Sequence, residues 1–358
     1  MLTYHDNCHP YLRFPVTVFK YISYDTLVLS NHTSEGIEGK EEVMGAFVEV
    51  NKLVKMYGDF CAVDHLSVSI EEGEIFGLLG PNGAGKSTTL SAITTLNNFE
   101  KGSIKVGGFD IVKDKMKVKA LVGMVPQDIA VYKHLNALEN VKFFASFYGL
   151  KGKALEEAAL EALEFVGLSE KLKMKPKQMS GGMQRRLNIA CGIAHRPKLI
   201  VMDEPTVGVD AQSREHILNS IRILKQRGTT VIYTSHYMQE VEEICDHIAI
   251  VDHGKLIANG TKEELVSLVT DIKGCSITTR ITSKVDTEQL KKDLSVLPGV
   301  VRVSLEENEI HLDLSIKCEN MMPILEVINN YKLPIMNVTS EKPNLDMTFL
   351  SLTGRELR

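Results

Sequence analysis

Gly80-Pro81-Asn82-Gly83-Ala84-Gly85-Lys86-Ser87 stands between the apolar run Ile75-Phe76-Gly77-Leu78-Leu79 and the segment Thr88-Thr89-Leu90-Ser91-Ala92-Ile93. The run reads as a buried strand and the segment after the loop as a helix, so the glycines form a turn from strand to helix. Such a loop cradles phosphates. Its glycines let successive backbone N–H groups face an anion, the helix N-terminus adds its dipole, Lys86 reaches the outer phosphates and the Ser87 hydroxyl can ligate Mg²⁺. Residues Gly80 to Thr88 are therefore expected to hold a nucleoside triphosphate.

From Ala46 to about Val269 the pattern alternates strands with helices, which defines an α/β layer architecture. Strands are predicted at 47–50, 66–70, 75–79, 103–106, 122–125, 199–202, 230–234 and 247–252. Helices at 136–148, 154–166 and 182–194 fill a stretch without a strand, which predicts a helical subdomain inserted at about 129–195.

Leu199-Ile200-Val201-Met202-Asp203-Glu204 is an apolar strand ending in two carboxylates. Ligands of open α/β sheets lie beyond the carboxyl ends of the strands, which brings Asp203 beside the phosphates as a Mg²⁺ ligand. Glu204, one residue on, is placed to orient or deprotonate the water that attacks the terminal phosphate.

Together with Met179-Ser180-Gly181-Gly182-Met183-Gln184, these motifs resemble the ATP-binding subunits of ABC transporters from about Val48 to Gly260. The Ser-Gly-Gly stretch is similar to the signature of that family, a second anion cradle made of a serine hydroxyl, glycine amides and a helix dipole. It departs from the family's commonest form at Met179 and Met183. The resemblance implies further roles. Tyr57 corresponds to the aromatic that stacks on adenine, and Gln127 to the glutamine that approaches Mg²⁺ and the attacking water. Asp210 falls in the loop that crosses to a partner subunit, and His236 matches the switch histidine that bonds the terminal phosphate. It also implies a head-to-tail homodimer, in which the signature of one chain, Ser180, Gly181 and Gly182, closes over ATP held by the other. A separate transmembrane permease subunit completes the implied assembly.

Composition agrees with such a part. The chain has 358 residues, 44% of them apolar, and 41 basic against 46 acidic side chains, so no nucleic-acid partner is expected. Six dispersed cysteines form no C-x-x-C pair and predict neither a zinc site nor a disulfide framework. No run is long enough to span a bilayer, so the expected location is cytoplasmic, peripheral at the inner face of the cell membrane.

Residues 1–43 fit poorly with the rest of the chain and read as an extension or a misassigned start, with Met44 as a second initiator candidate. Residues 271–358 carry no catalytic signature. Their strand–helix–strand–strand–helix–strand order predicts a small ferredoxin-like α+β accessory domain. The ending Phe349-Leu350-Ser351-Leu352-Thr353-Gly354-Arg355 resembles the tail of ATPase subunits from ABC-2 type, drug-resistance-like exporters. The expected function is thus an energy-coupling ATPase for an exporter. The alternative is a soluble ABC-type ATPase acting on DNA or ribosomes, which would need coiled coils or a second ATPase domain for its usual form.

Overall fold

The computed structural model describes residues 46–268, 272–281, 285–315, 317–318, 320–341 and 344–354, so the extension at 1–43 and the last four residues lie outside it. A hairpin of β1 (Val48–Tyr57) and β2 (Phe60–Ile70) leads to β3 (Ile75–Leu79), the glycine loop and α1 (Lys86–Ile93). Then come β4 (Lys101–Val106), β5 (Phe109–Asp110), α2 (Lys115–Leu121) and β6 (Val122–Val125). The helical insertion consists of α3 (Ala137–Ser146), α4 (Gly152–Phe165) and α5 (Gly181–Ile193). The chain returns through β7 (Leu199–Met202), α6 (Ala211–Gln226), β8 (Thr230–Tyr233), α7 (Met238–Ile244), β9 (His247–Asp252), β10 (Lys255–Gly260) and α8 (Lys262–Ser267). The remainder forms β11 (Ile272–Thr278), α9 (Thr287–Ser295), β12 (Val300–Glu306), β13 (Glu309–Ser315), α10 (Met322–Asn330), β14 (Asn337–Glu341) and α11 (Leu345–Thr353).

The strands do not all enter one layer. β1, β2, β4 and β5 make a separate antiparallel sheet in the order β2-β1-β4-β5, whereas the central sheet runs β10-β9-β3-β8-β7-β6. Its β9, β3, β8, β7 and β6 pair in parallel and only β10 joins antiparallel. Every residue of β3, β7 and β8 is buried, as expected of strands covered on both faces. Along β7 the side chains alternate. Leu199 and Val201 pack with the antiparallel sheet, and Ile200 and Met202 pack with the helices.

The third sheet has the order β12-β13-β11-β14 with all neighbours antiparallel, and Leu290, Leu294, Ile324 and Ile328 of its two helices share one core with it. That is the ferredoxin-like arrangement. Its last strand starts at Asn337, beyond Pro334, which has no N–H to pair and whose carbonyl accepts the Thr279 hydroxyl. Helix α11 packs elsewhere. Leu345 and Phe349 enter the core of the central sheet, and Glu242 of α7 accepts the Leu345 N–H at 2.8 Å while pairing with Lys262 of α8.

One half-buried histidine is set into this packing. His195 stacks on Tyr148 with ring centroids 3.4 Å apart and lies 3.2 Å from the Val122 carbonyl through Nε2, while its Nδ1 is sealed from solvent without a partner. The bond to Val122 assigns the proton to Nε2, so a second proton at Nδ1 would have no acceptor. Burial accordingly pushes the pKa down to about 4 from 6.5.

A histidine with a lowered folded pKa leaves stability intact above about 6.5 and costs stability as the pH falls from there toward 4. His195→Phe, which keeps a ring on Tyr148, is expected to flatten that slope in urea unfolding measured across the interval. Phe349→Ala is expected to lower unfolding free energy by about 3–5 kcal/mol, since Phe349 is 1% exposed in the central core. Equilibrium urea unfolding checks this, and a loss below about 1 kcal/mol would contradict the placement of α11 in that core.

Candidate active site

The carboxyl ends of the central strands set the site. Gly77 is level with Tyr233, Tyr233 with Met202, and Met202 with Val125. The segments that follow β3, β8, β7 and β6 therefore emerge at one rim, and they carry Lys86, His236, Asp203 with Glu204, and Gln127.

Gly85 caps α1 with φ +100°, a conformation open to glycine at no steric cost, and no side chain caps that helix end. The N–H groups of the first turn are left to an anion. Lys86 is buried and its Nζ donates to the Gly80 carbonyl at 2.6 Å and the Pro81 carbonyl at 3.2 Å. Burial holds its amine below the usual lysine range, while Glu204 and Asp203 pull it back up. Ser87, one residue on, is exposed.

Three of the predicted residues touch. Gln127 Nε2 donates to Glu204 Oε2 at 2.9 Å, and His236 Nε2 contacts Glu204 Oε1. Burial raises the Glu204 pKa and the repulsion of Asp203 adds to it, against the attraction of His236, Lys86 and Arg185. Glu204 also sits at φ +48°, in the left-handed region, at the turn where β7 ends. Its N–H donates to Thr234 Oγ1 at 2.9 Å, and the Thr234 hydroxyl donates to Asp203 Oδ1 at 2.7 Å. One threonine thus fixes both acids.

The signature forms a second cluster. Ser180 is the N-cap of α5 and accepts the Met183 N–H at 3.3 Å, beside Gly181. A Cβ on Gly182 would stand 2.1 Å from Ser213 Oγ and 3.2 Å from Asp210 Oδ2, so the signature packs on the N-terminus of α6. Asp210 caps that helix, taking the Ser213 N–H at 2.9 Å and hydroxyl at 2.8 Å, and these bonds hold its carboxyl below the usual range. Tyr57 closes β1, half exposed at 50%, with its hydroxyl on Asn97 and Lys55 Nζ 5.1 Å from its ring centre.

Sequence reasoning missed Thr234 and Arg185. Thr234 had a signal in standing two residues before His236 at a strand end. Arg185 lies in the signature helix and donates to the Pro126 carbonyl at 3.0 Å, which fixes the turn that carries Gln127.

Residues 63–207 match the ABC transporter family. The chain is 42% identical over 313 residues to the linearmycin resistance ATP-binding protein LnrL of Bacillus subtilis, covering 87% of this chain and 99% of that protein. It is 31% identical to the daunorubicin resistance ATP-binding protein DrrA3 of Streptomyces coeruleorubidus, covering 87% and 97%. Among solved structures, the dimeric post-hydrolysis cassette MJ0796 bound to ADP and Pi superposes with a TM-score of 0.55 at 28% identity, covering 60% of this chain and 98% of that one. The chain belongs to the ATP-binding proteins of ABC transporters. Within them it falls with the ATP-hydrolysing, energy-coupling subunits, and its relatives include ATP-binding proteins named for drug resistance and for Nod factor export. No helix among the described residues is long and apolar enough to cross a membrane.

Gly182→Ala is expected to destabilise the chain by about 1–3 kcal/mol through overpacking against Ser213. Adding Ser213→Gly, which removes the colliding hydroxymethyl group, is expected to recover part of the loss. Thermal unfolding of the single and double variants measures both, and a fully stable single variant would refute the close packing.

Proposed function

We propose that two copies of this chain bind head to tail around two ATP molecules, each site pairing the phosphate loop of one copy with the signature of the other. The observation that carries this reading is the separation of the predicted residues into two clusters. Lys86, Gln127, Asp203, Glu204 and His236 gather around the phosphate loop, whereas Ser180, Gly182 and Asp210 gather at the start of α6. A second anion cradle, built on α5 and α6 and, among the described residues, sharing no hydrogen bond with Lys86 or Glu204, is suited to the nucleotide of a partner.

Within one site, Tyr57 offers a half-exposed ring for the adenine, and the N–H groups from Gly80 through Thr88 with Lys86 take the phosphates. The donor set fits Mg²⁺. Ser87 and Asp203 supply a hydroxyl and a carboxylate oxygen and Gln127 an amide oxygen, and a cation that keeps waters and phosphates as further ligands needs no all-protein cage. No cluster of three or more His, Cys, Asp or Glu suited to a metal occurs among the described residues, as such a shared site allows. Held by Ser87, Asp203 and Gln127, Mg²⁺ would supply positive charge that offsets the negative charge developing during transfer.

Glu204 accepts the proton of the attacking water through a carboxylate aimed by Gln127 and His236. His236, in contact with that carboxylate, offers its ring to the terminal phosphate, and Lys86 and the partner's signature serine stabilise the charge on the transferred group. ATP binding closes the pair and hydrolysis releases it. The cycle drives a separate membrane-spanning permease, from the inner face of the membrane, in the export of a compound. The relatives' names, in which resistance to linearmycin or daunorubicin is paired with ATP binding, support export as the direction.

Glu204→Gln is expected to retain ATP binding within about two-fold while turnover falls by about 100-fold or more. Radiolabelled ATP binding and phosphate release on the full chain measure the two. Wild-type turnover in this variant would overturn the assignment of the base.

A further inference from the structure

Glu240, in the first turn of α7, is 3% exposed and four residues past His236. Its Oε2 accepts three hydroxyls, from Thr206 at 2.8 Å, Tyr233 at 2.8 Å and Ser235 at 2.6 Å. Arg214 of α6 approaches Oε1 at 3.2 Å, an ion pair without hydrogen-bond geometry, and stacks its guanidinium 4.6 Å from the Tyr237 ring centre. These four partners come from three places. Tyr233 and Ser235 bracket the exit of β8, Thr206 lies two residues past Glu204, and Arg214 belongs to the helix that Asp210 caps.

A carboxyl buried this deeply is retained against a large desolvation cost, and three donors converging on one oxygen fix the positions of the backbones that bear them. Burial, and then the nearby Glu240 charge, push the Tyr233 phenol well above its ordinary pKa, which keeps it an O–H donor. Ser235 Oγ, after donating to Glu240, accepts the Tyr237 N–H at 3.0 Å and so closes the turn that presents His236. On the other side of the acids, Thr234 ties β8 to Asp203 and to the Glu204 backbone. The ends of β7 and β8 are therefore pinned twice, once by Thr234 at the acids and once by Glu240 beneath them.

We infer that Glu240 is a positioning residue for hydrolysis, holding Glu204 and His236 in contact and linking both, through Arg214, to the helix against which the signature packs. The inference rests on the role given above to Glu204. It touches neither nucleotide nor water itself. Its carboxyl sets where the two loops stand, and a displacement of about 1 Å at a reacting group costs up to about 100-fold in rate.

The test uses the full chain, with turnover expressed per site that binds radiolabelled ATP, so that loss of folded protein does not count. Glu240→Ala is expected to lower turnover per bound ATP about 10–100-fold with half-saturation unchanged within about two-fold. Glu240→Gln, whose amide oxygen still accepts hydroxyls, is expected to regain most of it. Should Glu240→Ala fail to fold, Thr206→Val and Ser235→Ala each delete one donor, and each is expected to lower turnover per bound ATP by about 3–10-fold. In the Glu204→Gln background Glu240→Ala is expected to change nothing further, because its effect passes through Glu204. Unchanged turnover per bound ATP in the Glu240 and donor variants, or an equal loss in both backgrounds, overturns the inference alone. Wild-type turnover in Glu204→Gln itself sinks the assignment of Glu204 and this inference with it.

Discussion

Tyr233 lies level with Gly77 on one side and Met202 on the other, and Met202 lies level with Val125. Parallel pairing has a side-chain period of two, so a slip of one residue in any of these pairs would turn Ile200 and Met202 from the helices toward the antiparallel sheet. Strands buried on both faces cannot tolerate that exchange. The same alignment delivers the glycine loop, Gln127, the Asp203–Glu204 pair and His236 to one rim, so the chemistry depends on a register that apolar packing enforces from below.

Charge at that rim is held against burial. Lys86, Asp203, Glu204 and Arg185 all lie buried, and burial outweighs the neighbouring charges enough to hold the Lys86 amine and the Arg185 guanidinium below their usual ranges and the Glu204 carboxyl above its own. Glu204 adds a backbone strain at φ +48° that ordinary packing would select against. Strain and mutual desolvation concentrated at one turn mark the place where the fold departs from its most stable arrangement, and that turn carries Glu204, the base of the proposed reaction.

Strands with uninterrupted apolar runs were legible in the sequence to within a residue. β3, β6, β7 and β9 begin and end where the pattern places them, because a strand buried on both faces has no alternative reading. β1 and β2 extend well past the predicted 47–50 and 66–70, since their outer halves alternate with exposed residues and a bulged register. β10, with its lysine, asparagine and alternating exposure, carries too little apolar signal to be seen. At the site, motif residues were legible because phosphate chemistry restricts them to few types. Thr234 and Glu240 were not, since Thr234 meets Glu204 across 30 residues and Glu240 meets Thr206 across 34, and only the fold brings these groups together.

Helix α11 packs against α7 and α8 although the ferredoxin-like sheet intervenes in sequence. That sheet is consequently anchored at two points, with α8 before its first strand and α11 after its last, both on the ATPase core. A module fixed by one tether swivels freely, whereas one held at both ends resists rotation and passes torque to its supports. The support on α7, at Glu242, stands six residues past His236 in the same short helix and its leading turn, so a load on the small domain bears on the segment that carries His236.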